Sequence, residues 1–133
     1  MPTVDAMSPY LEAALLNHVF RGTQYTSPTP RVALFNGDPL NGGVEISGGG
    51  YSRATGITFT TPVVNGGKSI IENTEEIAFG PANNDWGLVN YVAIMDASSG
   101  GNVLIRGQLT NPRTILADDP ARFLPGDMKI RLG

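Results

Sequence analysis

Residues 86–109 constrain the fold more than any other stretch of this chain. Val89, Tyr91, Ala93 and Met95 alternate with Asn90, Val92 and Ile94; further on, Val103, Ile105, Gly107 and Leu109 alternate with Leu104, Arg106 and Gln108. Side chains point to opposite faces of a strand in turn, so each run offers a face to a core. Between the runs, Asp96-Ala97-Ser98-Ser99-Gly100-Gly101 supplies left-handed backbone positions and short polar side chains that bond locally, as a hairpin loop requires. The first run is apolar on both faces, which predicts a central strand covered on both sides. Trp86, the only tryptophan, stands at its start, where a large ring can close one end of a core.

Around this hairpin the chain reads as a series of short strands. Residues 1–7 lack a pattern and read as a loose N-terminal arm that orders on binding, so removing them is expected to leave the isolated fold intact. Ser8 then serves as a helix N-cap, Pro9 as the first helical residue and Glu12 as a first-turn acid. Leu11, Ala14, Leu15, His18 and Val19 form an amphipathic stripe, and Gly22 ends the helix near residue 21. Residues 23–30 are a connector. Strands are expected at 31–36 and at 51–60 with a bulge at Gly56, and loops at 36–50 and 111–127. Asn65-Gly66-Gly67 turns the chain. Residues 69–79 mix capping-box spacing with alternation and are read as a strand; Asn111-Pro112 breaks the chain after the hairpin, and Met128, Ile130 and Leu132 form a closing strand. The pattern is mainly β: an antiparallel β-sandwich or jelly-roll-like domain with one N-terminal amphipathic α-helix. It implies a single domain over 1–133, with an arm at 1–7, a helix at 8–22 and a β domain at 31–133.

Composition narrows the function. The chain has 133 residues, enough for one domain burying about two-thirds of its unfolded surface. Its 17 Gly and 10 Pro suit a β chain with many turns, and its charged share of 16% leaves much surface uncommitted to water, which points to assembly. A net charge of −3 without a Lys/Arg run argues against nucleic acid as a partner. There is no cysteine for a disulfide or a thiolate. No apolar run approaches the ~18 residues of a spanning helix. The first residues lack the order of a secretory signal, so manufacture and use, or assembly, in a cytoplasm is expected.

Several motifs could carry chemistry, and each has a plainer reading. Gly67-Lys68-Ser69 resembles the end of a phosphate-binding loop, but Pro62 stands where that loop needs a glycine, so a polar turn is expected. Gly48-Gly49-Gly50 lacks the helix start of an anion site and reads as a flexible or interface-hugging loop. Asp118, Asp119 and Asp127 lack calcium-loop spacing and suit turns. His18, the only histidine, lies on the helix stripe, which predicts a core or boundary residue bonded to backbone. Glu75 and Glu76 fall on opposite faces of a strand and cannot share a substrate. No catalytic, metal or cofactor site is expected.

One resemblance spans most of the chain. Tyr10-Leu11-Glu12, the run Leu15-Leu16-Asn17-His18-Val19-Phe20-Arg21-Gly22-Thr23, and Tyr25-Thr26 resemble the opening of small tailed-phage virion proteins often labelled tail fibre proteins. The likeness continues through Val32-Ala33-Leu34-Phe35 with Asp38-Pro39, then Glu45-Ile46-Ser47-Gly48-Gly49-Gly50-Tyr51-Ser52-Arg53 and Asn73-Thr74. It also takes in Trp86-Gly87, and Asp96-Ala97 with Gly100-Gly101-Asn102. Ala117-Asp118-Asp119-Pro120 departs from the Gly-Asp turn usual there. The resemblance implies a non-enzymatic virion structural protein, assembled in the bacterial host cytoplasm, with His18 part of the helix signature and no catalytic residues or cofactor. Fibres are usually long, repetitive and trimeric, so this short chain without repeats or heptads favours a capsid decoration (cement) protein, with a tail or tail-fibre component as the alternative. Expected partners are the chain itself, as a homotrimer, and the major capsid protein or tail proteins, with neither nucleic acid nor membrane. Tyr25, Tyr51 and Arg53 are expected interface anchors, because interfaces favour such side chains; Tyr51→Ala is then expected to weaken attachment and spare the fold.

Overall fold

The computed structural model describes residues 3–133. In chain order its elements are β1 (Thr3–Val4), β2 (Ala6–Met7), α1 (Pro9–Arg21), β3 (Arg31–Asn36), β4 (Val44–Glu45), β5 (Val63–Asn65), β6 (Lys68–Glu72), β7 (Ile77–Pro81), β8 (Gly87–Met95), β9 (Val103–Ile115), β10 (Pro120–Phe123) and β11 (Lys129–Leu132). The fold is mainly β with one N-terminal helix, as the alternation predicts. Three sheets run in the orders β2-β9-β8-β3-β4, β1-β11-β6-β5 and β10-β7. All pairings are antiparallel except that of β1 with β11.

The hairpin of β8 and β9 forms the middle of the largest sheet. β8 lies between β9 and β3 and is covered on both faces. Val89, Val92 and Ile94 belong to the main core with Val32, Leu34, Leu104 and Ile105, while Ala93 and Met95 meet Ala33 and Phe35 in a smaller cluster. Strict alternation would part Val89 from Val92 and Ile94. The register shifts between Val89 and Tyr91, where β9 carries the extra residues, so the ladder is irregular where the two buried sets part. The Asp96 carboxylate closes the hairpin loop by accepting from the Asn102 backbone N–H at 2.7 Å.

The helix obeys its local signals. Ser8 Oγ accepts from the Leu11 N–H at 3.1 Å, Pro9 occupies the first turn, and Gly22 ends the helix at φ 69°. Its stripe is only partly right: Leu11, Ala14 and Leu15 are half-buried, whereas His18 and Val19 are exposed, and no helical residue is fully buried.

The structure departs from the reading at four places. The expected loose arm is, from Thr3 to Met7, a pair of two-residue strands; residues 1 and 2 of it lie outside the described residues. β1 joins the sheet of β11 and β2 that of β9, so the segment bridges two sheets, and Val4 is completely buried. Gly107 makes this possible, because a Cβ there would collide with Thr3 and Val4 backbone. Second, residues 51–60 form no strand. The free edge of β3 is already taken by β4 at one end, leaving room for a single bridge from Ala54 to Val32. Third, 69–79 is two strands, β6 and β7, in different sheets. Asn73 divides them: this buried amide donates to Glu75 O at 2.7 Å and Leu124 O at 3.0 Å and accepts from Met128 N at 2.9 Å. Fourth, Asn111-Pro112 disrupts the ladder without ending the strand, since β9 pairs again with β8 from Arg113 to Ile115. The supposed loops 36–50 and 111–127 thus contain β4, the end of β9 and β10.

Candidate functional site

Two of the three expected anchors converge on one acid. Arg53 Nε and Nη2 each donate to the Glu45 carboxylate at 2.8 Å, a bidentate pair, and the Tyr51 hydroxyl donates to the same group at 2.8 Å. That hydroxyl also accepts from the Leu34 N–H at 3.0 Å, and Arg53 Nη1 donates to Ala97 O at 2.7 Å and Gly100 O at 2.9 Å. The network therefore ties β3, β4 and the hairpin loop together. The Arg53 side chain is only 5% exposed. Tyr25 lies apart from this group: it follows α1, is half-buried, and its backbone N–H donates to His18 Nδ1 at 3.0 Å. His18 thus makes the expected backbone bond, from an exposed position.

Burial disfavours the Glu45 carboxylate, but the hydrogen bonds from Arg53 and Tyr51 and the Arg53 charge outweigh it and hold the carboxyl below its ordinary value. Burial also pushes the Tyr51 hydroxyl well up, with the Glu45 charge adding to the shift. A carboxyl depressed in the fold contributes stability above its unfolded pKa, and that contribution is lost as pH falls through the folded value. We expect Glu45→Gln to lower stability at neutral pH and to flatten the loss of stability below about pH 4. Thermal melts across that range check this; an unchanged acid limb contradicts it.

The glycine-rich loop is pressed inward. Gly49 O accepts from Trp86 Nε1 at 2.9 Å, and a Cβ on Gly49 would meet the indole at 2.8 Å. The Tyr51 ring lies edge-on to Trp86, with centroids 5.5 Å apart, and stacks on Phe79 at 6.2 Å. The motif residues 48–53 are thus a clamp over one end of the core. Glu45 is the member that sequence reasoning missed. Its signal was an acid next to a Gly-rich turn with Tyr and Arg a few residues on.

The other motifs take their plainer readings. Lys68 follows the turn between β5 and β6, and its ammonium donates to Gly133 O at 2.6 Å. Asp119 and Asp127 each accept from the backbone N–H three residues earlier, Leu116 at 2.9 Å and Leu124 at 3.0 Å, as turn formers do. Among the described residues no group of three or more His, Cys, Asp or Glu is placed to hold a metal ion. No helix among them is long and apolar enough to cross a membrane.

Several large apolar side chains point outward. On α1, Leu16, Val19 and Phe20 are 58%, 64% and 78% exposed. Three- and four-residue spacing places them on one face, opposite the one that rests on the sheet. Val63 and Val64 project from β5, an edge strand, and are exposed as well. Monomeric proteins rarely leave such groups clustered in water. The described residues thus form a small, mainly β protein with large apolar side chains exposed on α1 and β5. The family model described as podophage GP4 fiber I protein gp80 matches residues 6–131, and the chain belongs to that family. It is a bacteriophage virion structural protein. No curated protein matches the chain.

Proposed function

We propose that the chain is a non-enzymatic component of the tail fibre of a podophage virion and acts through its outward apolar surfaces. The observation that carries this reading is the match to a fibre family over residues 6–131. The capsid-decoration reading rests on the shortness of the chain and its lack of repeats, and the family description favours the tail-fibre alternative over it. Self-association as a homotrimer and contact with tail proteins, in place of the major capsid protein, belong to the same proposal. Tyr51 and Arg53 are committed to the internal network, so the contact surface moves to α1 and β5, with Tyr25 at its margin. Gold-labelled antibody against the chain should mark the tail end of intact virions. Label spread over the heads contradicts the proposal and restores the decoration reading.

A further inference from the structure

We propose that the cavity beside the bulge of β9 is a binding site for a small carboxylate that carries a six-membered ring. The cavity measures about 180 Å³. An apolar cavity of roughly 150 Å³ holds benzene, so a ring fits. Phe79, Leu109, Ala121 and Phe123 are among its apolar lining, with the two phenyl rings edge to face and 6.2 Å between centroids. The bulge creates the opening. Val89 pairs with Arg113 and Tyr91 with Gln108, so β9 carries extra residues against β8 at this point, and bulges of this kind re-aim side chains next to sites.

The charge at the cavity comes from Arg113 and Arg122, which also line it. Four ion pairs elsewhere are short: Arg53–Glu45 at 2.8 Å, Arg106–Asp38 at 2.9 Å, Arg131–Asp5 at 2.6 Å and Lys129–Glu72 at 2.5 Å. The two cavity arginines differ. Arg113 stands 3.9 Å from Asp119 and Arg122 3.5 Å from Glu76, and both side chains are 52% exposed. Charge-assisted bonds close to about 2.7–2.9 Å, so both guanidinium groups keep donors for a further anion. Asp127 lines the cavity too, and its carboxylate, which accepts from the Leu124 N–H at 3.0 Å, sets one negative charge against the two arginines. A ring over the phenyl groups with its carboxylate reaching the lining arginines satisfies both halves of the site.

Titration of the isotope-labelled full chain with benzoate, and with benzyl alcohol as a neutral probe of the same ring, tests this by amide chemical shifts. Benzoate should give saturable shifts centred on residues 109–113 and 121–123 and bind more tightly than benzyl alcohol. Arg113→Gln and Arg122→Gln should each weaken benzoate roughly fivefold or more and leave benzyl alcohol unchanged. Both arginines are half-exposed, so unchanged amide spectra away from the cavity should show the variants folded. The proposal is overturned by non-saturable shifts, by shifts centred elsewhere, by equal binding of the two probes, or by variants that bind benzoate like the parent.

Discussion

A chain that begins at Ser8 is expected to be strongly destabilised. Residues 3–7 contribute β1 to one sheet and β2 to another, and the completely buried Val4 to the core that both sheets share. Asp5, between the two strands, pairs with Arg131 at 2.6 Å. Without this segment β11 loses its partner on one side, β9 loses its own, and Gly107 faces an empty groove. Removing one large buried aliphatic side chain typically destabilises by about 2–5 kcal/mol, and here backbone pairing goes with it. Against the 5–15 kcal/mol of a typical domain, a loss of more than about 3 kcal/mol is expected. Urea denaturation of the truncated chain measures it. A cooperative transition at the parent midpoint contradicts the bridging role and restores the dispensable arm expected from sequence.

Tyr51→Ala should have the next largest effect, about 3–5 kcal/mol by analogy with other buried aromatic truncations. The ring is packed between Trp86 and Phe79 at one end of the core. Its hydroxyl is the hydrogen-bond partner of Leu34 N and one of the donors to Glu45. The variant therefore leaves a cavity, a partly buried N–H without its acceptor and a carboxylate short of a donor. Tyr51→Phe keeps the ring and should lose only about 1–2 kcal/mol, the share of the hydroxyl. If Tyr51→Ala unfolds at the same denaturant concentration as the parent, the clamp does not hold this end of the core. The sequence reading expected that variant to spare the fold, because it saw the tyrosine without the elements it joins.

Much of the fold was legible because local rules sufficed. The hairpin was visible in long two-residue alternation, α1 in the Ser8-Pro9 start and the Gly22 stop, and β3 in the apolar run 31–36. What escaped depends on partners distant in sequence. β1 and β2 have two residues each, too few to show a period. Residues 51–60 alternate like a strand, yet their alternation serves the Glu45 clamp and two isolated bridges, Ala54 to Val32 and Phe59 to Asn73, because β4 occupies the β3 edge they would have used. Gly107 was the available clue to the N-terminal crossing: a glycine inside a strong strand, away from any turn, marks a close backbone approach. Of the candidate site, the residue types were legible but their direction was not. Tyr51 and Arg53 face inward, and the apolar residues left outside include Leu16, Val19 and Phe20, which helical spacing alone cannot distinguish from core.

The proposed function rests on the apolar side chains that this protein leaves exposed. Its most direct test is a phage whose own copy is replaced by the double variant Val19→Glu, Phe20→Glu. Both side chains face solvent, so the purified variant should melt within about 1 kcal/mol of the parent. Purified particles should nevertheless carry far less of it than of the parent chain. Incorporation at the parental level by a normally folded variant would show that the outer face of α1 is not the surface by which the protein joins the virion.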